Sequence, residues 1–224
     1  MTMRGVIALA LIAWLIPAAV KAQTVTDQSV MVNRAVTTVE RLRADPSMAE
    51  SMNDLLPKAR GVLVVPDLVK GGFFFGAQYG TGLLLVRDRS GGWSDPAFFS
   101  IAAGSFGLQI GLQDAEAIYV IMTDGGLNAV LDNRFKTGAS AGVAVTVVGA
   151  GAEAATTTHV GADIYAFSRA VGLYGGLTLD GAGILPRHSW NAAYYGGNPT
   201  IQDILYNRAV NNPQADRLRN ILAR

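Results

Sequence analysis

The chain has 224 residues, contains no cysteine, and carries 18 basic against 17 acidic side chains. The absence of cysteine excludes disulfides, the zinc sites that need thiolates, and a lipid-modified cysteine at a processed N-terminus. A chain so nearly neutral is a poor general binder of polyanions, so nucleic acid is not an expected partner. The length is sufficient for one domain held together by its hydrophobic core.

The first 22 residues have the three-part layout of a secretory signal peptide. A single early charge, Arg4, precedes an apolar run from Gly5 to Ile16, and small residues follow up to Ala22. The run is shorter than the roughly 20 apolar residues that cross a bilayer, which makes a membrane anchor the less favoured alternative. We therefore expect cleavage after Ala22 and an exported protein, periplasmic or extracellular and peripherally associated with the membrane.

Two helices are predicted before the first glycine-rich stretch. From Thr24 to Arg43 the apolar residues recur at helical spacing, while Arg34 and Arg41 fall on the opposite side. The apolar positions are Val25, Val32, Val36, Val39 and Leu42. The first helix should end at Asp45, because the residue before a proline is pushed out of the α region, and a second should cover 47–55.

From Gly61 the apolar period falls to two, which predicts strands. The predicted strands are 61–66, 72–86, 105–113, 117–122, 139–147, 160–166 and 171–179, with a short helix at 124–135. Within 72–86 the glycines at 72, 76, 80 and 82 share one face, which lets another backbone approach or lets the sheet bend. Helical segments at 200–210 and 213–222 close the chain.

These elements predict an α+β fold with a strongly curved, mainly antiparallel, glycine-rich β-sheet and helices at both ends. The glycine-rich bends leave two arrangements open, an open sheet and a closed barrel. No proline-rich or serine-rich linker divides the chain. We therefore expect one domain over 23–224, with a helical N-terminus at 24–55, a β-rich core at 61–185 and a helical C-terminus at 187–224.

The candidates for catalysis are weak. Gly138-Ala139-Ser140-Ala141-Gly142 matches the serine-hydrolase motif G-x-S-x-G, but that motif requires a helix after the serine, and a valine-rich strand is predicted there. The two histidines, His159 and His188, are far apart, so neither a metal site nor a cofactor is expected. Asp114 and Glu116 have the spacing of an acid/base pair, although polar residues at a strand end explain them better.

Five basic residues form the candidate binding site: Arg34, Arg41, Lys58, Arg60 and Lys70. Lys58, Arg60 and Lys70 bracket the predicted strand 61–66, close to the junction with the N-terminal helices. A patch formed by all five would attract lipid head groups or another anionic partner. The alternative is an ordinary solvated edge.

Several segments of this sequence resemble the SYLF-domain family. KARGVLVVPDLVKGGFFFGAQYGTGLLLVR at 58–87 and GGWSDPAFFSIAAGSFGLQIGLQ at 91–113 are similar to the core of that family. The similarity continues in GADIY at 161–165, SRAVGLYGG at 168–176 and NAAYYG at 191–196, and spans about 32–205. The resemblance implies phospholipid binding aided by an N-terminal amphipathic segment, actin association in eukaryotic members, and no catalytic residues.

Three functions follow in order of preference. The first is a non-enzymatic peripheral protein of the cell envelope that binds anionic phospholipid, with the apolar side of the first helix at the head-group boundary and the five basic residues beside it. The second is a structural or protein-binding envelope component that recognises its partner through the glycine-lined sheet. A serine hydrolase is the remote third. Actin is not an expected partner in an exported setting.

Overall fold

The computed structural model describes residues 26–72, 75–106, 111–137, 142–148, 161–171 and 182–224. The predicted signal peptide lies outside these residues, as do Ser140, His159 and most of the predicted strand at 171–179. The described helices are α1 (Asp27–Ala44), α2 (Ala49–Leu55), α3 (Asp124–Leu131), α4 (His188–Tyr195), α5 (Ile201–Leu205) and α6 (Asp216–Leu222). The strands are β1 (Gly61–Gly72), β2 (Phe75–Val86), β3 (Ala97–Phe106), β4 (Gly111–Ile121), β5 (Val145–Val148), β6 (Ile164–Val171) and β7 (Ala182–Pro186).

Helix α1 begins and ends at local signals in the sequence. The Thr26 side chain accepts a hydrogen bond from the Ser29 amide, and the Ser29 side chain accepts one from the Thr26 amide, which is a capping box. At the other end Asp45 is extended, with φ −76° and ψ 118°, as the proline that follows it requires. The predicted end at Asp45 is confirmed, while the helix begins at Asp27, three residues after the predicted start.

The strands form a mixed but mainly antiparallel sheet in the order β5-β6-β4-β1-β2-β3-β7. Only the β5–β6 pair is parallel among the described ladders. The α+β prediction is confirmed. The barrel alternative is wrong for the described residues, because β5 and β7 stand at the two edges and no ladder joins them.

Several strand predictions were wrong. Residues 142–144 and 161–163 are not in strands, Gly72 ends β1 rather than beginning β2, and most of β3 and all of β7 were not predicted. The first strand does not stop at Pro66, because a bulge between Val64 and Leu68 absorbs the proline and the strand continues to Gly72. The alternating segment 105–113 is not one strand: β3 ends at Phe106 and β4 begins at Gly111, two positions that β1 and β2 separate in the sheet. Polar and apolar residues alternate at the end of β3 and again at the start of β4, so the pattern looked like one strand.

In the first half of β1 both faces of the sheet are buried, so alternate residues of this strand enter different cores. Leu63 and Val65 of β1 pack with α3 and α5, while Val62 and Val64 pack with α1, α2, α4 and α6. We call these the α3 side and the α1 side. Burial on both faces explains the continuous apolar runs of β1, since neither face there has to be polar.

The glycines of β2 face the α3 side, where neighbouring atoms leave no room for a side chain. A Cβ atom at Gly80 would lie 2.6 Å from the Asp67 carbonyl oxygen, and one at Gly82 would lie 2.7 Å from Leu63 Cδ1. The predicted close approach of a second backbone is confirmed at Gly80, beside the β1 bulge. Because this face is packed, the glycine-lined surface proposed for a protein partner is not exposed here.

Candidate functional site

The apolar stripe of α1 is closed against the body of the protein. Val32, Val36, Val39 and Leu42 are all buried and belong to the core on the α1 side. The sequence left open whether this stripe packs on the core or meets a membrane, because both uses need the same surface. The structure decides for the core, which corrects the expectation that this stripe is free for acyl chains.

The outer side of α1 carries the first two candidate cations. The Arg34 and Arg41 side chains are 57% and 60% exposed, as their place opposite the apolar stripe predicts. Arg34 Nη1 lies 2.5 Å from Asp67 Oδ2 on β1, and Arg41 Nη1 lies 3.6 Å from Glu116 Oε2 on β4. Both arginines therefore reach solvent while resting on a carboxylate of the sheet.

Lys58, Arg60 and Lys70 occupy two different ends of the sheet. Lys58 is the exposed last residue of a 3₁₀ turn (Leu56–Lys58), and Arg60 directly precedes β1 and pairs with Asp124 of α3 at 3.3 Å. Lys70 lies near the other end of β1, opposite Gln78 and Gln113. At about 3.3 Å per residue, Arg60 and Lys70 stand roughly 30 Å apart. The five candidates do not form one patch.

Beside α1 the sheet presents an uncovered face. Leu68 points to the α3 side, so its neighbours Asp67 and Val69 point to the α1 side, which the Arg34–Asp67 contact confirms. Val69 pairs with Tyr79, and the two side chains are 42% and 55% exposed. Leu185 of β7, on the same face, is 54% exposed. We call Val69, Tyr79 and Leu185 the apolar strip.

A third arginine lies on the same face. Arg187 Nη1 donates to Thr81 Oγ1 at 2.7 Å, and the guanidinium lies 3.6 Å from the centroid of the Trp190 ring. Thr81 is the cross-strand partner of Asp67, so Arg187 borders the apolar strip at the same end as Arg34, next to β7. Stacking on an indole and a hydrogen bond to a hydroxyl hold this guanidinium in place.

A cleft of about 270 Å³ opens at the end of the sheet where β1 begins. Arg60, Arg87, Asp124 and Tyr206 are among the residues that line it. Its arginines are already engaged: Arg60 pairs with Asp124, and Arg87 donates to the carbonyl oxygens of Gly91 and Leu56. The two arginines of this cleft would therefore have to give up existing contacts to bind an anion.

Three of the candidates for catalysis lie among the described residues. Asp114 and Glu116 do share one strand face, but Glu116 accepts a hydrogen bond from Thr38 of α1 at 2.9 Å, which makes it part of the helix contact. His188 is the exposed first residue of α4. Among the described residues there is no group of three or more His, Cys, Asp or Glu that could hold a metal ion. None of the helices described is long and apolar enough to cross a membrane.

Sequence reasoning missed the apolar strip and Arg187. Tyr79 did lie on the face opposite the glycines, so its place on that face was readable from alternation. Val69 was hidden because the bulge at Pro66 shifts the alternation of β1 by one residue. Leu185 and Arg187 needed the pairing of β7 with β3, which no local pattern announces.

Comparison with known proteins agrees with the resemblance seen in the sequence. The model of the Ysc84 family, described as Las17-binding protein actin regulator, matches residues 102–224, more than half of the chain. LAS seventeen-binding protein 3 of Saccharomyces cerevisiae is 28% identical over 172 residues, which cover 75% of this chain and 37% of that protein. SH3 domain-containing YSC84-like protein 1 of Mus musculus is 28% identical over 169 residues, covering 75% and 49%. The human protein of that name is 27% identical over 169 residues.

The match reaches only part of these relatives, since the chain spans about half or less of their length. No solved structure matches the chain.

Proposed function

This chain belongs to the Ysc84 (SYLF) family, and on that premise we propose that it is a non-enzymatic domain that binds anionic phospholipid at a membrane surface. The observation that carries the proposal is the orientation of α1. Its apolar stripe is packed on the sheet, while Arg34 and Arg41 point outward along a single flank about 10 Å apart. Two cations on one exposed flank suit the phosphates of a head-group layer.

The domain binds with α1 in place. Burying a Val or Leu side chain is worth about 1.5–3 kcal/mol, so releasing the four core residues of the stripe would cost roughly 6–12 kcal/mol before any loss on the sheet side. The contacts that a lipid phosphate would replace, Arg34 with Asp67 and Arg41 with Glu116, are worth about 1 kcal/mol or less each. Helix release is therefore the more expensive route to the membrane.

The layout of the first 22 residues supports export, and we propose a peripheral location at the envelope. The protein recovered after export should begin at Gln23, as read by intact mass. An N-terminus at Met1 in the recovered protein would contradict cleavage. Because the apolar run of the uncleaved form could itself enter membranes, vesicle experiments require the processed protein.

The central test is co-sedimentation with vesicles of phosphatidylcholine, with and without phosphatidylglycerol. We expect binding to the mixed vesicles that weakens as salt is raised, since screening shortens the reach of exposed charges. The double variant Arg34→Gln/Arg41→Gln should bind about 30-fold more weakly, because each cation near an anionic surface contributes about 1 kcal/mol.

The matched control is Arg89→Gln/Arg134→Gln, which also removes two positive charges. Arg89 lies in the exposed turn between β2 and β3, and Arg134 pairs with Asp132 after α3. This variant should bind like the wild type. Absence of binding to either vesicle would overturn the proposed function, and equal binding to both would remove its electrostatic part.

Hydrogen exchange checks the place of α1. The amides of Val32 to Leu42 should stay protected when vesicles are added. Loss of protection would mean that the helix leaves the core and that its apolar stripe is the surface in contact with lipid.

A second candidate is recognition of an envelope protein, which the family description favours because it names binding to another protein. Stable co-purification of such a partner after lipid extraction, together with failure to bind vesicles, would replace the lipid proposal.

A further inference from the structure

Exposed apolar side chains are concentrated on one face of the described structure. Of six large hydrophobic residues exposed among the described residues, four lie on the α1 side: Val30, Val69, Tyr79 and Leu185. Val30 precedes Arg34 by one helical turn and shares its flank. The strip and the cationic flank of α1 are therefore neighbours.

The strip is uncovered only on this face. Leu68, Ile101 and Ile184 are the strand neighbours of Val69, Ala102 and Leu185, and all three are buried on the α3 side. Tyr79 stands between Val69 and exposed Ala102 in one cross-strand row. The same strands are thus dry on one side and open on the other.

Partners that add a strand are blocked at the nearer edge. The Ile184 amide, which points away from β3, donates to Asn133 Oδ1 at 2.5 Å, and Pro186 has no amide to offer. A ligand for this region must therefore meet the face of the sheet. That geometry suits a planar surface better than an extended peptide.

The chemistry of the rim matches a phospholipid surface. Arg34 and Arg187 border one end of the strip, on the cross-strand pair Asp67 and Thr81, and Tyr79 presents a ring with a polar end, the kind of side chain that sits at head-group level. One acid opposes the match: Asp114 lies directly across from Val69 and is exposed. Asp67, the other carboxylate beside the strip, is neutralised by Arg34.

We infer that the apolar strip, and not the stripe of α1, is the part of this domain that enters the head-group layer, an inference that rests on the proposed phospholipid binding. Contact through the strip would bring Arg34 and Arg187 to the phosphates while α1 stays docked. It would also leave Asp114 facing the anionic surface, where repulsion between the negative charges would lower the affinity.

Because the chain has no cysteine, one introduced thiol takes a single environment-sensitive dye. Tyr79→Cys is compared with Tyr206→Cys, whose tyrosine is also exposed but lines the distant cleft beside Arg60. With phosphatidylglycerol-containing vesicles we expect a blue shift and an emission increase of about threefold at position 79 and none at 206. If the wild type binds while the dye at 79 stays in water, the strip is not the insertion surface although the proposed function stands.

Other outcomes also decide the matter. A dye at 79 that is already in an apolar site without vesicles shows that part of this chain or a second copy covers the strip, which overturns the inference. Failure of the wild type to bind any vesicle overturns it together with the proposed function.

Tyr79→Ser should weaken binding about fivefold without altering its salt dependence, and Tyr206→Ser should alter neither. Asp114→Asn should tighten binding about threefold, and an unchanged affinity would contradict the stated orientation.

Discussion

Arg219 Nη1 of α6 lies 3.0 Å from Asp95 Oδ2, and only 5% of the Asp95 side chain is exposed. These two residues, 124 positions apart, tie the C-terminal helix to the Gly-Trp-Ser-Asp-Pro segment. Asp95 Oδ1 also accepts the Asn212 amide, and the Pro96 carbonyl accepts the Tyr195 hydroxyl. This segment of the family-like sequence is therefore an anchor for the C-terminal end of the chain.

Removing the arginine of this pair should be strongly destabilising. Arg219→Ala leaves a buried carboxylate without its counter-charge, and we expect the free energy of unfolding to fall by about 3 kcal/mol in urea titrations. Arg217→Ala is the control, since Arg217 is exposed and pairs with Glu40 at the surface, so its loss should cost less than about 1 kcal/mol. Equal losses in the two variants would show that the Asp95 contact has no special weight.

The contribution of Asp95 to the free energy of unfolding should decrease as the pH rises. Burial raises the pKa of Asp95 above its usual 3.8, although the Asn212 amide and Arg219 oppose that shift. Folding therefore favours the protonated form, so the stability linked to this group is complete below pH 3.8 and declines as pH rises through the raised pKa. Carbon NMR of the Asp95 carboxyl should show the shift, and a midpoint below 3.8 would contradict it.

Replacing Gly80 by a residue with a side chain should destabilise the protein. In Gly80→Ala the new methyl group meets the Asp67 carbonyl, a backbone atom that cannot swing away, so we expect a loss of about 1–3 kcal/mol in the free energy of unfolding. Gly183→Ala adds the same group where the nearest atom is 3.6 Å away, and it should change stability by less than about 0.5 kcal/mol. A tolerated Gly80→Ala would mean that the β1 bulge is free to move.

Asn133 should protect the β7 edge. It has φ 56°, a left-handed conformation that asparagine tolerates better than alanine, while its side chain holds the Ile184 amide. Asn133→Ala should lose about 2 kcal/mol, and Asn133→Gly about half of that, because glycine restores the backbone but not the hydrogen bond. Both should self-associate more at high concentration, as measured by size-exclusion chromatography. A monomeric pair of variants would show that the edge needs no cover.

Helix α1 should behave as part of the core. Leu42→Ala removes a fully buried side chain and should lower the free energy of unfolding by about 2–5 kcal/mol, whereas Val30→Ala on the outer flank should change it by less than about 0.5 kcal/mol. Urea unfolding of the two variants gives the comparison. Similar stabilities would mean that the stripe is not packed in solution.

Local chemistry made several elements predictable. A period of 3.6 and the Asp45-Pro46 stop gave α1 nearly its observed bounds, and even spacing of the glycines gave the crowded face of β2. Alternation failed at 105–113, because a period of two continues across a change of strand as well as along one strand. The bulge at Pro66 was unreadable for a related reason, since an inserted residue alters the face and not the composition.

The candidate site shows the same division. Exposure of Arg34 and Arg41 followed from helical spacing, but their partners Asp67 and Glu116 come from strands far along the chain. The separation of Arg60 from Lys70 also required knowing that β1 runs on past Pro66. Arg60 and Lys70 are close in the sequence, which suggested one patch, but the extended strand between them places them at opposite ends of β1.

The sequence by itself determined nearly the bounds of α1, which side of α1 is apolar, and that the fold is α+β with helices at both ends, because these depend on interactions a few residues apart. Only the tertiary structure decided what covers each apolar surface. The stripe of α1 is buried because the sheet, assembled from strands farther along the chain, packs against it, whereas Val69 and Tyr79 lie on a part of the same face that the described residues leave exposed.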